Sequence, residues 1–223
     1  MIKIKIENEY SSLKTVILGI ANDIGEPPNI FDAYDPRSLY HAKNNSFPDE
    51  NDLIKNVEKF YNKLLKHNVE ILRPENIPNC NQIFTRDLGF VISNIFFISN
   101  IVPARQDEIQ GIENIIKNLD VGVIKLPEFM HIEGGDVVLH NGKLFIGTYL
   151  DANYSSLITA RTNIESIEYL KKMLPNIEII PIEIKKSNIN IFENTLHLDC
   201  CFQTIGPDKA IICPDGFKNK EDY

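Results

Sequence analysis

One order of elements recurs along this 223-residue chain and constrains its fold more tightly than composition does. The segments FTRDLGFVISNIFFIS (84–99), EGGDVVLHNGKLFIG (133–147) and HLDCCFQTIGPDKAIICP (197–214) share one outline. An aspartate (Asp87, Asp136, Asp199) precedes an apolar strand, a tight turn follows, and a second apolar strand returns. The turns read Ser93-Asn94, Asn141-Gly142 and Gly206-Pro207-Asp208, of which Asn-Gly is the strongest short-range hairpin signal. Amphipathic periodicity predicts helices over 50–68, 107–119 and 162–174. Thr162 and Glu165 have capping-box spacing, and Pro175 stops the third helix. Each helix leads into a short strand-like run: VEIL (69–72), VGVIKL (121–126) or IEIIPIE (177–183). Hairpin, helix and strand therefore occur twice in full and begin again at His197. SSLKTVILGI (11–20), the first helix and VEIL form a partial unit of the same kind, and MIKIKIENEY ahead of them alternates like a strand.

Equivalent strands related by a rotation start at one end of a common axis. Asp87, Glu133, Asp136, His197 and Asp199 then converge, although they are far apart in sequence. Local readings stand beside this one. IEGGD is also plausible turn chemistry, with Gly134 and Gly135 supplying positive φ. Asp87 beside Arg86 also fits a surface ion pair, and His197 fits a core histidine satisfied by a backbone group.

Composition excludes more than it selects. A formal charge of −8 and a pI near 5.2 argue against nucleic-acid or membrane-surface partners. No run approaches the ~18 apolar residues of a membrane span, and the N-terminus lacks a signal-peptide core. Of the four cysteines, adjacent Cys200 and Cys201 would point to opposite faces of a strand, and no Cys/His spacing matches a zinc site. The expectation is a reduced, cytoplasmic protein without metal or cofactor.

FTRD (84–87), EGGD (133–136) and HLD (197–199), in that order, resemble the signatures of the guanidino-group modifying (pentein) superfamily. That superfamily comprises arginine deiminases, dimethylargininases and glycine amidinotransferases. NEYSSLKTVILG (8–19) resembles its first strand, so the likeness runs along essentially the whole chain. The resemblance implies an α/β propeller of repeated ββαβ units around a pseudo-fivefold axis, with substrate in the central channel. This chain would fill about three and a half to four such units. It also implies covalent catalysis by a cysteine thiolate at the guanidinium carbon. His197 matches the histidine that moves protons, Glu133 the carboxylate beside it, and Asp87 and Asp199 the aspartates that clamp the planar cation. Asp136 is expected to hold the Gly-Gly turn. Arg161, and similarly Arg105, are candidates to receive a substrate carboxylate, although Arg161 beside Thr162 suits a helix start at least equally well. Crowded carboxylates are expected to raise one another's pKa and that of His197.

The superfamily nucleophile lies near the C-terminus in a glycine-rich segment, and GFKNKEDY contains none. The expectation is one pentein-type catalytic domain over 1–223 lacking its C-terminal part; loss of catalysis is the other reading. The expected function is hydrolysis of the guanidino group of arginine or a substituted arginine. An amidinotransferase is the alternative, because NEYSSLKTVILGIANDIGEPP and HLDCCFQTIGP resemble that branch, whereas EGGD leans to the deiminase and dimethylargininase branch. A non-catalytic pentein binding protein is the third reading. The loops at 42–50 and 149–160 would discriminate substrates, and a homo-oligomer is left open.

Overall fold

The structure is a computed structural model and describes residues 2–222. Its strands are β1 (Ile2–Lys3), β2 (Thr15–Ile17), β3 (Glu70–Leu72), β4 (Gly89–Ile92), β5 (Ile95–Ile98), β6 (Leu119–Asp120), β7 (Gly122–Lys125), β8 (Val137–His140), β9 (Lys143–Thr148), β10 (Glu178–Glu183), β11 (Phe202–Gly206) and β12 (Lys209–Ile212). Its helices are α1 (Pro36–Asn44), α2 (Glu50–Leu65), α3 (Glu113–Lys117) and α4 (Ile164–Met173).

Three antiparallel hairpins, β4–β5, β8–β9 and β11–β12, stand where the repeated outline places them. A later strand joins the first two in parallel: β7 pairs with β5, and β10 pairs with β9. Parallel pairing needs a crossover, which the segments 99–121 and 149–177 supply. β2 pairs in parallel with β3 across α2. The sheets remain separate, each of two or three strands, and no pairing among the described residues joins them into a closed ring. Apolar faces fill the space between sheet and helix. Phe90, Phe97, Ile132, Leu144 and Ile146 pack with Ile167 and Leu170 of α4, the two phenylalanine rings stacked at 5.1 Å.

Local structure departs from the periodic reading in four places. The first half of the expected 107–119 helix belongs to a 3-10 segment, Pro103–Ile112, which is followed by α3, and Leu119 already belongs to β6. Its interior is not purely apolar. Arg105 and Glu108 are turned inward beside Ile112, and Gly111 abuts Gln82 so closely that a Cβ would lie 2.2 Å from its Nε2. Thr162 does not cap α4. Asn163 does, its side chain accepting from the Ser166 amide, because the Thr162 hydroxyl is committed elsewhere. α1 is a helix that apolar periodicity does not announce. Asp35 caps it by accepting from the amides of Arg37 and Ser38, and Pro36 occupies its first turn. The N-terminal segment pairs as a strand only at Ile2–Lys3, on β6, with single bridges from Ile6 to Ser93 and Asn8 to His140.

Candidate active site

A 3-10 turn leads into the first strand of each hairpin: Thr85–Leu88, Gly134–Asp136 and Leu198–Cys200. The turns touch one another, and the glycines show how closely. A Cβ on Gly134 would lie 2.0 Å from the Arg86 carbonyl oxygen. A Cβ on Gly135 would lie 2.7 Å from His197 Cγ and 2.8 Å from Asp87 Oδ1. Neither glycine has positive φ; Gly25 and Gly142 alone do among the described glycines. The Gly-Gly pair is therefore a requirement for close approach between motifs, and the positive-φ reading of IEGGD is wrong.

The approach builds a buried ionic cluster. His197 Nε2 lies 2.9 Å from Glu133 Oε2, and its Nδ1 lies 3.6 Å from Asp87 Oδ1. Arg161 donates through one terminal nitrogen to both Glu133 oxygens, at 3.0 and 3.1 Å. Its other nitrogens donate to the Ile158 and Tyr34 carbonyls. Arg105 donates to Asp87 Oδ2 at 2.7 Å and to both oxygens of Glu108. Asp87, Glu133, His197, Arg105, Arg161 and Glu108 are all buried.

Asp87 is thus paired with Arg105. Arg86 turns away to the Val137 carbonyl, Glu9 and Asp199, so the surface Asp87–Arg86 pair does not form. Arg161 contacts Glu133 rather than starting a helix. Asp199 sits at the rim, partly exposed, with Arg86 Nε at 3.7 Å from Oδ2. Of the aspartates in the repeated outline it is the least engaged. Asp136 is fully buried and reaches across to the third motif, accepting from the Leu198 amide at 3.0 Å and from the Thr162 hydroxyl at 2.6 Å. It holds the His197 turn rather than the Gly-Gly turn alone.

The electrostatics follow from these contacts. Burial opposes charge on Glu133, but the His197 hydrogen bond and the Arg161 and Arg105 guanidinium groups outweigh it and hold the carboxyl at about 2. The expected mutual elevation of carboxylates fails for Glu133 because the chain supplies its own cations. Burial disfavours the imidazolium of His197, yet Asp87, Glu133 and Asp136 raise its pKa above the ordinary value. Asp199 is raised by burial, with His197 and Arg86 opposing. Donor atoms of Asp87, Glu133 and His197 come within 4.8 Å of one another, a spacing a cation could use. The guanidinium groups of Arg105 and Arg161 already neutralise Asp87 and Glu133, so a metal ion there would have to displace them.

Burial pushes the thiols of Cys80 and Cys200 up to about 11 and that of Cys201 up to about 12. Glu108 and Lys186 belong to the charged network, and the sequence reading missed both. The Arg105/Glu108 spacing of opposite charges was a usable signal for the first. Nothing in KKSN marked Lys186. No helix among the described residues is long and apolar enough to cross a membrane.

The sequence model of the eukaryotic N,N dimethylarginine dimethylhydrolase family matches residues 38–223. The uncharacterized protein YkgA of Bacillus subtilis is 31% identical over 172 residues, 74% of this chain and 54% of that protein. The chain therefore spans about half the length of that curated relative. Among solved structures, the amidinotransferase SxtG of Microseira wollei superposes with a TM-score of 0.73 at 16% identity, over 99% of this chain and 72% of that one. The N-terminal domain of ArgZ, a cyanobacterial arginine dihydrolase, gives 0.70 at 17%, over 92% and 68%. The dimethylarginine hydrolase of Pseudomonas aeruginosa in complex with citrulline gives 0.61 at 18%, over 86% and 66%. At these identities the superpositions establish the pentein α/β fold. The match over 38–223 shows that the chain belongs to the N,N dimethylarginine dimethylhydrolase family of the guanidino-group modifying superfamily.

Proposed function

We propose that this chain carries the acid–base and guanidinium-binding part of a hydrolase acting on the guanidino group of arginine or an N-substituted arginine. The observation that carries the reading is the burial of His197 between Asp87 and Glu133, with two guanidinium groups balancing the carboxylates. Burial opposes charge on His197, but Asp87, Glu133 and Asp136 raise its pKa above the ordinary value, which favours the protonated form that a departing amine requires. Asp199, the least engaged aspartate, and Asp87 receive the planar substrate cation. Arg105, paired with Asp87, and Arg161, paired with Glu133, take a substrate carboxylate by exchanging part of their present pairing.

The thiolate of a cysteine C-terminal to residue 223 attacks the guanidinium carbon. The bond to the leaving amine breaks as His197 passes it a proton. Water, deprotonated by the now neutral imidazole, then displaces the thiolate to leave a ureido product. Transfer to an amine instead of water is the alternative. A non-catalytic binding role has no use for a histidine buried between two carboxylates. The same reading makes the sheets part of a ββαβ propeller about a pseudo-fivefold axis, completed by the segment that bears the cysteine. The described cysteines are all free thiols, which suits the cytoplasm.

The test is turnover by the protein extended through that cysteine, with arginine, dimethylarginine and agmatine as substrates. Ureido product with ammonia or dimethylamine is expected, and amidino transfer to glycine or another amine selects the alternative. Calorimetry on the 223-residue chain should show arginine bound more tightly than citrulline. No turnover, together with equal affinity for the two ligands, would sink the reading.

A further inference from the structure

The group in the reading above whose placement matters most is His197, and its backbone is held from both sides. On one side the Lys186 ammonium donates to the Leu196 carbonyl at 2.7 Å. On the other, Asp136 accepts from the Leu198 amide at 3.0 Å. The segment bearing Lys186 is itself fixed. Ile184 bridges Phe217, the Lys185 amide donates to the Gly216 carbonyl, and the Thr195 amide donates back to the Lys185 carbonyl. Asp136 is fully buried, and the Thr162 hydroxyl that completes its coordination carries no charge. A Cβ on Gly147 would lie 2.6 Å from Asp136 Oδ1 and 2.8 Å from Leu198 Cβ, so that glycine lets the carboxylate reach the turn.

We propose that Lys186 is a positioning residue of the site: its ammonium, opposed to the Asp136 carboxylate across the Leu196–Leu198 turn, clamps the backbone that aims the His197 ring at Glu133 and Asp87. The inference rests on reading His197 as the acid–base group, but its test does not depend on turnover. The charged groups facing Lys186 are Asp136 and Glu133, which favour the ammonium, and Arg161, which disfavours it; the Cys200 thiol faces it as well. Desolvation dominates this balance and brings the Lys186 pKa down to about 8. The clamp therefore weakens as pH rises through the mildly alkaline range, where Asp136 loses its counter-charge.

Charge and position make opposite demands on His197, which allows a clean test. Removing a nearby cation without moving the ring raises an imidazole pKa, whereas releasing the ring from Glu133 and Asp87 lowers it. The titration of His197 is followed by nitrogen-15 NMR of the intact chain, assigned with His197→Gln, in wild type, Lys186→Met and Lys186→Arg. The expected result is a His197 midpoint that falls towards 6.5 in Lys186→Met and stays at the wild-type value in Lys186→Arg. If Lys186→Met does not fold, Lys186→Gln, which retains a neutral donor, carries the same comparison. A midpoint unchanged or raised in the neutral variant overturns the proposal, as does an Arg variant that falls as far as the neutral one.

Discussion

At the scale of single residues, the site is organised by compensation of charge inside the protein. Glu133 is buried against His197, Arg161 and Arg105, and its pKa of about 2 lies well below the 4.5 of a free glutamate. A depressed carboxyl stabilises the fold above the unfolded value and loses that contribution as pH falls from about 4.5 to 2. The contribution at neutral pH is on the order of 3 kcal/mol. Glu133→Gln leaves cations buried without their partner, so it is expected to lower the unfolding free energy by about 3 kcal/mol at pH 7. The deficit should shrink as pH falls from about 4.5 towards 2, where first the unfolded chain and then the native carboxyl protonates. Denaturant unfolding of both proteins at pH 7 and pH 3 checks this, and a deficit equal at the two values argues against the pairing. His197 carries the opposite sign. Its raised pKa stabilises fully below about 6.5, and that contribution is lost as pH rises through the folded value. The cluster is therefore most stabilising where both groups are ionised.

At the scale of elements, the 3-10 turns that start the hairpins bring the three motifs into contact, and Gly135 sets how closely they meet. Gly135→Ala would push a methyl group against the His197 ring and Asp87, neither of which can withdraw from a packed ionic cluster. A cost of about 1–3 kcal/mol is expected, the usual range for overpacking, together with a lowered His197 midpoint. Gly122→Ala in β7 is the control, since the nearest atoms there lie at 3.7 Å and beyond; it should cost less than about 0.5 kcal/mol. Thermal unfolding and the imidazole titration read both variants, and equal costs would remove the close-approach account of IEGGD. The hairpins were legible because strand alternation and Asn-Gly or Ser-Asn turns are local signals. The 3-10 segment Pro103–Ile112 was not, because Arg105 and Glu108 bury against Asp87 and against each other, a tertiary requirement that overrides helical periodicity. The cap at Asn163 was missed for the same kind of reason: Thr162 serves Asp136. At the site, the placement of Asp87, Glu133 and His197 was legible from their positions ahead of hairpins. Their partners were not, because Arg105, Glu108 and Arg161 arrive from crossovers, and Lys186 from the segment between β10 and the third hairpin, whose course periodicity does not fix.

At the scale of the molecule, the three hairpins differ in what covers them. β5 carries β7 and β9 carries β10, so Phe97 and Ile146 are wholly buried. β12 has β11 as its sheet partner, and Ile211 is 62% exposed. An apolar strand edge left open is a liability that a following strand removes. The proposed propeller supplies one, pairing in parallel with β12 as β10 does with β9. The cost of truncating Ile211 should therefore depend on the length of protein studied. In the 223-residue chain, Ile211→Ala is expected to stay within ~0.5 kcal/mol, whereas Ile146→Ala should cost about 2–5 kcal/mol through loss of burial and the cavity left behind. In a protein extended through the next unit, Ile211 would lie between two strands, and its truncation should approach the cost at Ile146. Denaturant unfolding of both variants at both lengths makes the comparison. A cost at Ile211 that stays near zero in the longer protein would mean that β12 is a true edge and that the repeated unit does not continue beside it.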